Sequence, residues 1–431
     1  MKVAYLAAGA AGMYCGSCIR DNTLARELKK QGVDLVLVPT YTPMRTDEKS
    51  EAEARVFFGG INVYLQAKSS LFRRTPWALD RLLDRPGLLN WVSRFSSSTS
   101  AKDLGDLTVS MLEGEQGPLY KELQKLVVWL RDDFKPDLVH LTNSMLAGIG
   151  VGIRKALDVP VICSLQGEEI FLDALIEPYR ARAMKALRAQ VAQLDRLVAT
   201  CDAYRDEMSA YLQVAPAQIA VARLGIGLDD FAPRSWDGFD ASKSRTLGFF
   251  ARQCPEKGLD QLLHAFQILA PQFPNLRLRV AGYLGEGDRA YVEELKKESA
   301  DLAHRIEWLE ELDRAEKIAF LQSLDVFSVP APYRDPKGLT ILEAMACGVP
   351  VVQPNHGAYV EIIEHTNGGR LFPPNKVDAL AAVIASYLRD PKVMRRDGLA
   401  GAEAVVNHYS DRAMADQTHQ IYRRILGARR D

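Results

Sequence analysis

Short apolar runs alternate with stretches of helical spacing along the whole chain. The opening run, MKVAYLAAG, reads as a buried strand that breaks at Gly9, Gly12 and Gly16. A helix is predicted from about Ser17 to Lys30, with Ile19, Leu24 and Leu28 on one face and Gly32 as its stop. Asp34–Pro39 (DLVLVP) is the next strand, so the chain opens as a strand, glycine loop, helix, strand unit. The same rhythm predicts a strand pair over 56–65, a helix over 118–133, strands over 136–141, 159–165 and 194–200, helices from about Ser144 and over 179–194 and 203–212, and a last short strand over 218–223.

A polar, turn-rich stretch over 232–245 interrupts the rhythm and reads as a linker. Beyond it the alternation restarts with a strand over 246–251, a helix over 258–269, a strand at Leu276–Ala281, a glycine loop with Gly282, and further units to residue 388. A final helical run over 411–426 is long enough to return to the first domain. The pattern predicts an α/β protein of two Rossmann-like doubly wound domains. We place the first at 1–235, with a helical insertion at about 66–118 and the 411–426 helix packed back on it, and the second at 246–405. A chain of 431 residues is ample for two such cores.

Residues 326–352, VFSVPAPYRDPKGLTILEAMACGVPVV, are the most informative stretch. They read as strand, proline-rich loop, helix opening at Gly338, and strand. Asp335 lies in the loop and Glu343 inside an otherwise apolar helix, where a carboxylate is costly unless it is paired or holding something. The helix start at Gly338 offers free amides to an anion. One reading is a capped helix with a satisfied core glutamate; the other is a phosphate cradle flanked by two carboxylates. Arg252 and Lys257 follow the first strand of the same domain, ahead of a helix, which suits a diphosphate.

Composition narrows the classes. A net charge of −1 argues against general nucleic-acid binding. No apolar run is long enough to span a membrane, and no basic leader with a cleavage site precedes the first strand, so a cytoplasmic location is expected. Of six cysteines only Cys15 and Cys18 form a CxxC, without the second pair that a structural zinc site wants. The segment 66–102 is aromatic and basic, with seven Lys/Arg against Asp80 and Asp84. A helical insertion with solvated arginines is the favoured reading; the competing one is peripheral contact with the inner membrane face.

The GAAGM loop, RLGIGLDDFAP, RQCPEKG, AGYLGEG and above all DPKGLTILEAMACGVPVV together resemble the retaining GT-B glycosyltransferases of the glycogen synthase-like family, family 4, over nearly the whole length. The resemblance implies two domains facing across a cleft and a nucleotide-diphospho-sugar donor, with no metal and no cofactor. Arg252 and Lys257 would neutralise the diphosphate, and Glu343 would hold the ribose hydroxyls. Asp335 would be the first carboxylate of the family's E-x7-E pair, on the donor sugar. Gly282 and the backbone of Lys337, Gly338, Leu339 and Thr340 would line the donor, and Gly12 and Met13 would close on it from the first domain. Asp335 stands where the family carries Glu, and Gln166-Gly167 where many relatives carry His-Gly. Gln166 cannot act as a base, which leaves Glu168 and His140 as its expected substitutes. The acceptor implied is a carbohydrate, a lipid-linked sugar or a small molecule. A non-catalytic nucleotide-sugar-binding protein and a sugar-nucleotide epimerase are the alternatives.

Overall fold

The computed structural model describes residues 1–9, 15–41, 44, 46–53, 101–236 and 244–429. The strand pair over 56–65, Gly12, Met13 and the 66–100 part of the insertion therefore lie outside the described residues.

The chain divides into two compact units: Met1–Arg223 with Met414–Asp431, and Leu224–Ala413. Among the described residues the first holds a six-stranded sheet in the order β2-β1-β3-β4-β5-β6, made of β1 Lys2–Ala7, β2 Asp34–Pro39, β3 Leu138–Leu141, β4 Val161–Ser164, β5 Arg196–Ala199 and β6 Ile219–Val221. Every pairing is parallel, and Tyr5 lies opposite His140. Its strands are buried almost throughout, as expected of a parallel sheet covered on both faces. The helices used below are α1 Gly16–Lys30, α2 Ala101–Leu112, α3 Tyr120–Trp129, α4 Ala147–Leu157, α5 Glu168–Asp173, α6 Tyr179–Val191 and α7 Asp202–Leu212. The described end of the insertion, α2, packs on α6.

The second unit repeats the plan in the order β12-β11-β10-β7-β8-β9, again all parallel. Its strands are β7 Arg245–Phe250, β8 Leu276–Ala281, β9 Ile306–Trp308, β10 Val326–Phe327, β11 Val351–Pro354 and β12 Gly369–Phe372. Its helices are α8 Leu259–Leu269, α9 Arg289–Glu298, α10 Arg314–Gln322, α11 Leu339–Ala346, α12 Ala358–Thr366, α13 Val377–Arg389 and α14 Pro391–His408. The predicted strand at 326–329 shrinks to two residues, as the Val329 amide turns to the Gln353 side-chain oxygen, 3.3 Å away, instead of a ladder carbonyl.

The last helix, α15 Asp411–Gly427, places Met414, Ala415, Ile421 and Tyr422 in one core with Val3, Tyr5, Leu24 and Leu37 of the first unit. In each sheet the chain reverses its direction of growth once, between β1 and β3 and between β7 and β10. Ligands of open α/β sheets bind outside the carboxyl ends of the strands at such a reversal.

Candidate functional site

Lys257 follows β7 and Asp335 follows β10, so the reversal in the second sheet brings them side by side. Two local features make the approach. Gly258 takes a positive φ of 70°, and a Cβ there would lie 2.1 Å from the carbonyl oxygen of Pro330. Only glycine lets the loop after β7 lie against the exit of β10. From the other side, the amide of Ala358 at the start of α12 donates to the carbonyl of Asp335 at 2.8 Å.

Held this way, Lys257 Nζ donates to Asp335 Oδ2 at 2.9 Å and also bonds the hydroxyl of Tyr333. Tyr333 in turn donates to the same carboxylate oxygen at 3.1 Å. Asp335 Oδ1 accepts the amides of Lys337 and Gly338 at 2.9 and 3.0 Å. Burial pushes the Asp335 carboxyl up, but Lys257 and the two amides outweigh it and hold it well below the usual range. The Lys257 ammonium is opposed by burial yet raised by Asp335, so both stay charged.

The expectation for the helix start needs correction. The amides of Lys337 and Gly338 are not open to a phosphate, because Asp335 already occupies them. The first intrahelical bond of α11 runs from Leu342 to Gly338, so Leu339 and Thr340 lead the helix without an intrahelical acceptor. Gly282 is corrected too: its amide donates to the carbonyl of Glu310, and its own carbonyl accepts Gln253 Nε2 at 2.9 Å. It ties two loops together rather than offering a free amide.

Arg252 stands at the same strand end with half of its side chain exposed. Its guanidinium lies 3.4 Å from Asp288 and from Glu256, away from the Lys257–Asp335 pair in its bonding. Glu343, one turn into α11, is buried and accepts Lys317 Nζ of α10 at 2.6 Å. The sequence reading missed Lys317. Its signal was there: residues 317, 320 and 321 fall on one helical face, and the two others are Phe and Leu.

In the first unit the two substitutes for Gln166 are both withdrawn. His140 is fully buried, with Nδ1 2.7 Å from the Tyr422 hydroxyl and Nε2 2.9 Å from Ser164 Oγ. Burial and the nearby Arg20 charge hold its pKa well below normal, so it is a neutral core histidine. Glu168 Oε1 accepts the amide and hydroxyl of Ser144 at 2.9 and 2.6 Å, and Oε2 accepts the amide of Gln166 at 2.7 Å. Its carboxylate is engaged in fixing two loops. Glu169, which the sequence reading passed over, is pushed up to about 7 by burial and by the Glu168 charge, while Tyr204 donates to it at 2.6 Å.

A family model described as "Glycosyl transferases group 1" matches residues 235–402, and one described as "Glycosyl transferase 4-like domain" matches residues 22–225. The chain belongs to the GT-B glycosyltransferases of the family 4 type. Among curated relatives of this glycosyltransferase, glycogen synthase of Mycobacterium tuberculosis (strain ATCC 25618 / H37Rv) is 28% identical over 295 residues, 67% of this chain and 69% of that protein. Phosphatidyl-myo-inositol mannosyltransferase of Mycolicibacterium smegmatis is 30% identical over 193 residues, 44% of this chain and 48% of that one. The fold matches sucrose-phosphate synthase of Thermosynechococcus elongatus with a TM-score of 0.71 at 19% identity, covering 99% of each chain. It matches Anabaena HepE in complex with UDP-glucose with a TM-score of 0.65 at 18% identity, covering 98% of this chain and 99% of that one. Among the described residues no helix of the glycosyltransferase is long and apolar enough to cross a membrane.

Proposed function

We propose that the chain is a retaining glycosyltransferase that moves a sugar from a nucleotide-diphospho-sugar to an acceptor hydroxyl without a metal ion. The observation that carries this reading is the buried Lys257–Tyr333–Asp335 cluster at the strand reversal of the second sheet, set against the start of α11.

Bond cleavage at the sugar puts negative charge on the departing diphosphate. Lys257, Arg252 and the leading amides of α11 would supply positive charge and dipoles suited to that oxygen cluster. Asp335 keeps Lys257 protonated, and its second oxygen, already on two amides, fixes the loop that would hold the sugar. Glu343 has the chemistry to accept the ribose hydroxyls, and Lys317 is its buried counter-ion. The acceptor hydroxyl attacks on the face from which the nucleotide leaves.

HepE is recorded with UDP and with UDP-glucose, so uridine nucleotide sugars are the first donors to try. One relative is named for phosphatidyl-myo-inositol, which keeps a lipid-linked acceptor, and peripheral contact through 66–102, among the cases to assay. Lys257→Ala and Arg252→Ala should each lower transfer by about 100-fold or more, the usual loss when a preorganised electrostatic donor is removed. Wild-type transfer rates in either variant would contradict these roles.

A further inference from the structure

At the opposite end of the second sheet from Lys257 and Asp335, a groove of about 530 Å³ opens beside the first residues of β7, β8 and β9. Strand alternation puts Arg277 and Arg279 of β8 on one face. The parallel register sets Thr246 opposite Arg277 and Glu307 opposite Arg279. Parallel sheets normally have both faces covered by apolar helices. Here α10 covers part of this face, with Phe320 packed on Phe250 and its ring 5.0 Å from the Arg279 guanidinium. The helix ends at Gln322, and the corner beyond it is left to polar side chains.

The chain as a whole is nearly neutral, with a net charge of −1, yet this lining sets Arg277, Arg279 and Arg305 against one carboxylate, Glu307. Arg279 meets that carboxylate through Nε and the Ser323 hydroxyl through Nη1. Arg305 has no carboxylate partner among the described residues. Its Nε, Nη1 and Nη2 donate to the carbonyls of Leu276, Ala270 and Phe273 at 2.8, 3.0 and 2.6 Å, and each terminal nitrogen keeps a second N–H. Those carbonyls fix its guanidinium without neutralising it. Arg277 and the Thr246 hydroxyl make no hydrogen bond or ion pair with any described residue, and His304 is exposed on the same groove. A lone exposed arginine on a flat surface is ordinary; three that converge on one concavity with a single carboxylate are not.

We infer that this groove binds a small hydroxylated phosphate monoester, its phosphate held by Arg277, Arg305 and the Thr246 hydroxyl. Guanidinium forks present paired N–H donors that match phosphate oxygens, and a guanidinium already fixed, like that of Arg305, loses little freedom on binding. A water takes about 30 Å³ of liquid, so a groove of about 530 Å³ has room for far more than a phosphate group. Glu307 repels a second phosphate and accepts hydroxyls, which favours a polyol body over a diphosphate. Among the described residues no Phe, Tyr or Trp lines the groove to stack a base, which disfavours a nucleotide. The site differs from the Lys257 cluster in place and in ligand, and it does not rest on the donor reading above.

The test titrates glycerol 3-phosphate and inorganic phosphate against the full chain, read by phosphorus NMR at constant ionic strength. Two charge-assisted hydrogen bonds place saturation by glycerol 3-phosphate below about 10 mM, with inorganic phosphate binding more weakly. Arg277→Ala should weaken the monoester by about tenfold or more. Arg277→Lys keeps the charge but loses the fork, and should recover only part of that loss. Arg277 is exposed and pairs with no described residue, so both variants should fold. Lys257→Ala is the control for the other anion cluster and should bind the monoester as the wild type does.

No saturation in the wild type, or equal binding by the wild type and Arg277→Ala, overturns the site. A loss in Lys257→Ala as large as that in Arg277→Ala overturns it too, since the probe would then sit at the Lys257 cluster. Full recovery in Arg277→Lys overturns the fork, because any positive charge would then serve. Equal affinity for inorganic phosphate and glycerol 3-phosphate overturns the monoester as the ligand. Nucleoside diphosphate binding should be the same in Arg277→Ala as in the wild type. Its absence from both would sink the donor reading and leave a saturable, Arg277-dependent monoester site standing.

Discussion

Glu169 and Asp335 are two buried carboxylates that their neighbours push in opposite directions. Asp335 has a cation and two amides; Glu169 has burial and a like charge, relieved only in part by Tyr204. A carboxyl raised to about 7 in the fold, against about 4.3 in an unfolded chain, is neutral in both states at low pH. As pH rises between those values the unfolded chain ionises first, so the fold loses stability, and the loss is complete above about 7. Glu169→Gln should therefore melt higher than the wild type at pH 8, with the gap closing by pH 4. Thermal melts across that range check it, and a gap independent of pH would contradict this cause. At this scale the sequence was half legible. Lys257 and Asp335 stood out because both follow apolar runs at strand ends. His140 and Glu168 misled because a polar residue at a strand end looks the same whether it faces a ligand or, like His140, a neighbouring tyrosine and serine. Glu343 fits the reading of a satisfied core glutamate, since it is paired with Lys317.

Among elements, the alternation of short apolar runs and helical spacing placed most strands and helices within a residue or two, because parallel strands buried on both faces write themselves as continuous apolar runs. The eighteen-residue helix α14 escaped it. Its buried face includes Asp397, Gly398 and Gly401, which spoil the apolar stripe that marks a helix. Those glycines are there for contact: α14 packs on α11, and a Cβ on Gly398 would lie 2.3 Å from the carbonyl oxygen of Gly348. Asp397 is satisfied by the Tyr387 hydroxyl at 2.8 Å and by Arg396. Gly398→Leu should thus cost about 1–3 kcal/mol or more, as overpacking does, and it should also loosen α11. Urea unfolding measures the first part and a drop in nucleoside diphosphate affinity the second. Unchanged stability would show that α14 can move away freely. The short helix α5 was missed for a different reason: Glu168 and Glu169 open it, and two acidic residues after a strand read as a loop.

For the whole molecule, the α/β class and its two-fold repetition were legible, while the order of strands was not. Rhythm says how many units there are, but the reversal between β7 and β10, on which the candidate site depends, is set by which crossover packs on which face. The family resemblance supplied what periodicity lacked, and the matches to residues 22–225 and 235–402 bear it out. The return of α15 to the core around Tyr5 and Tyr422 makes the first unit depend on both ends of the chain. The central claim is that the second unit holds a nucleoside diphosphate through Lys257, the start of α11 and Glu343. Calorimetric titration of UDP, GDP and ADP into the wild type, Lys257→Ala and Glu343→Ala tests it most directly. Saturable binding of at least one of the three to the wild type is expected, weakened about tenfold or more in each variant. Binding that both folded variants retain at wild-type strength, or none by the wild type, would contradict it.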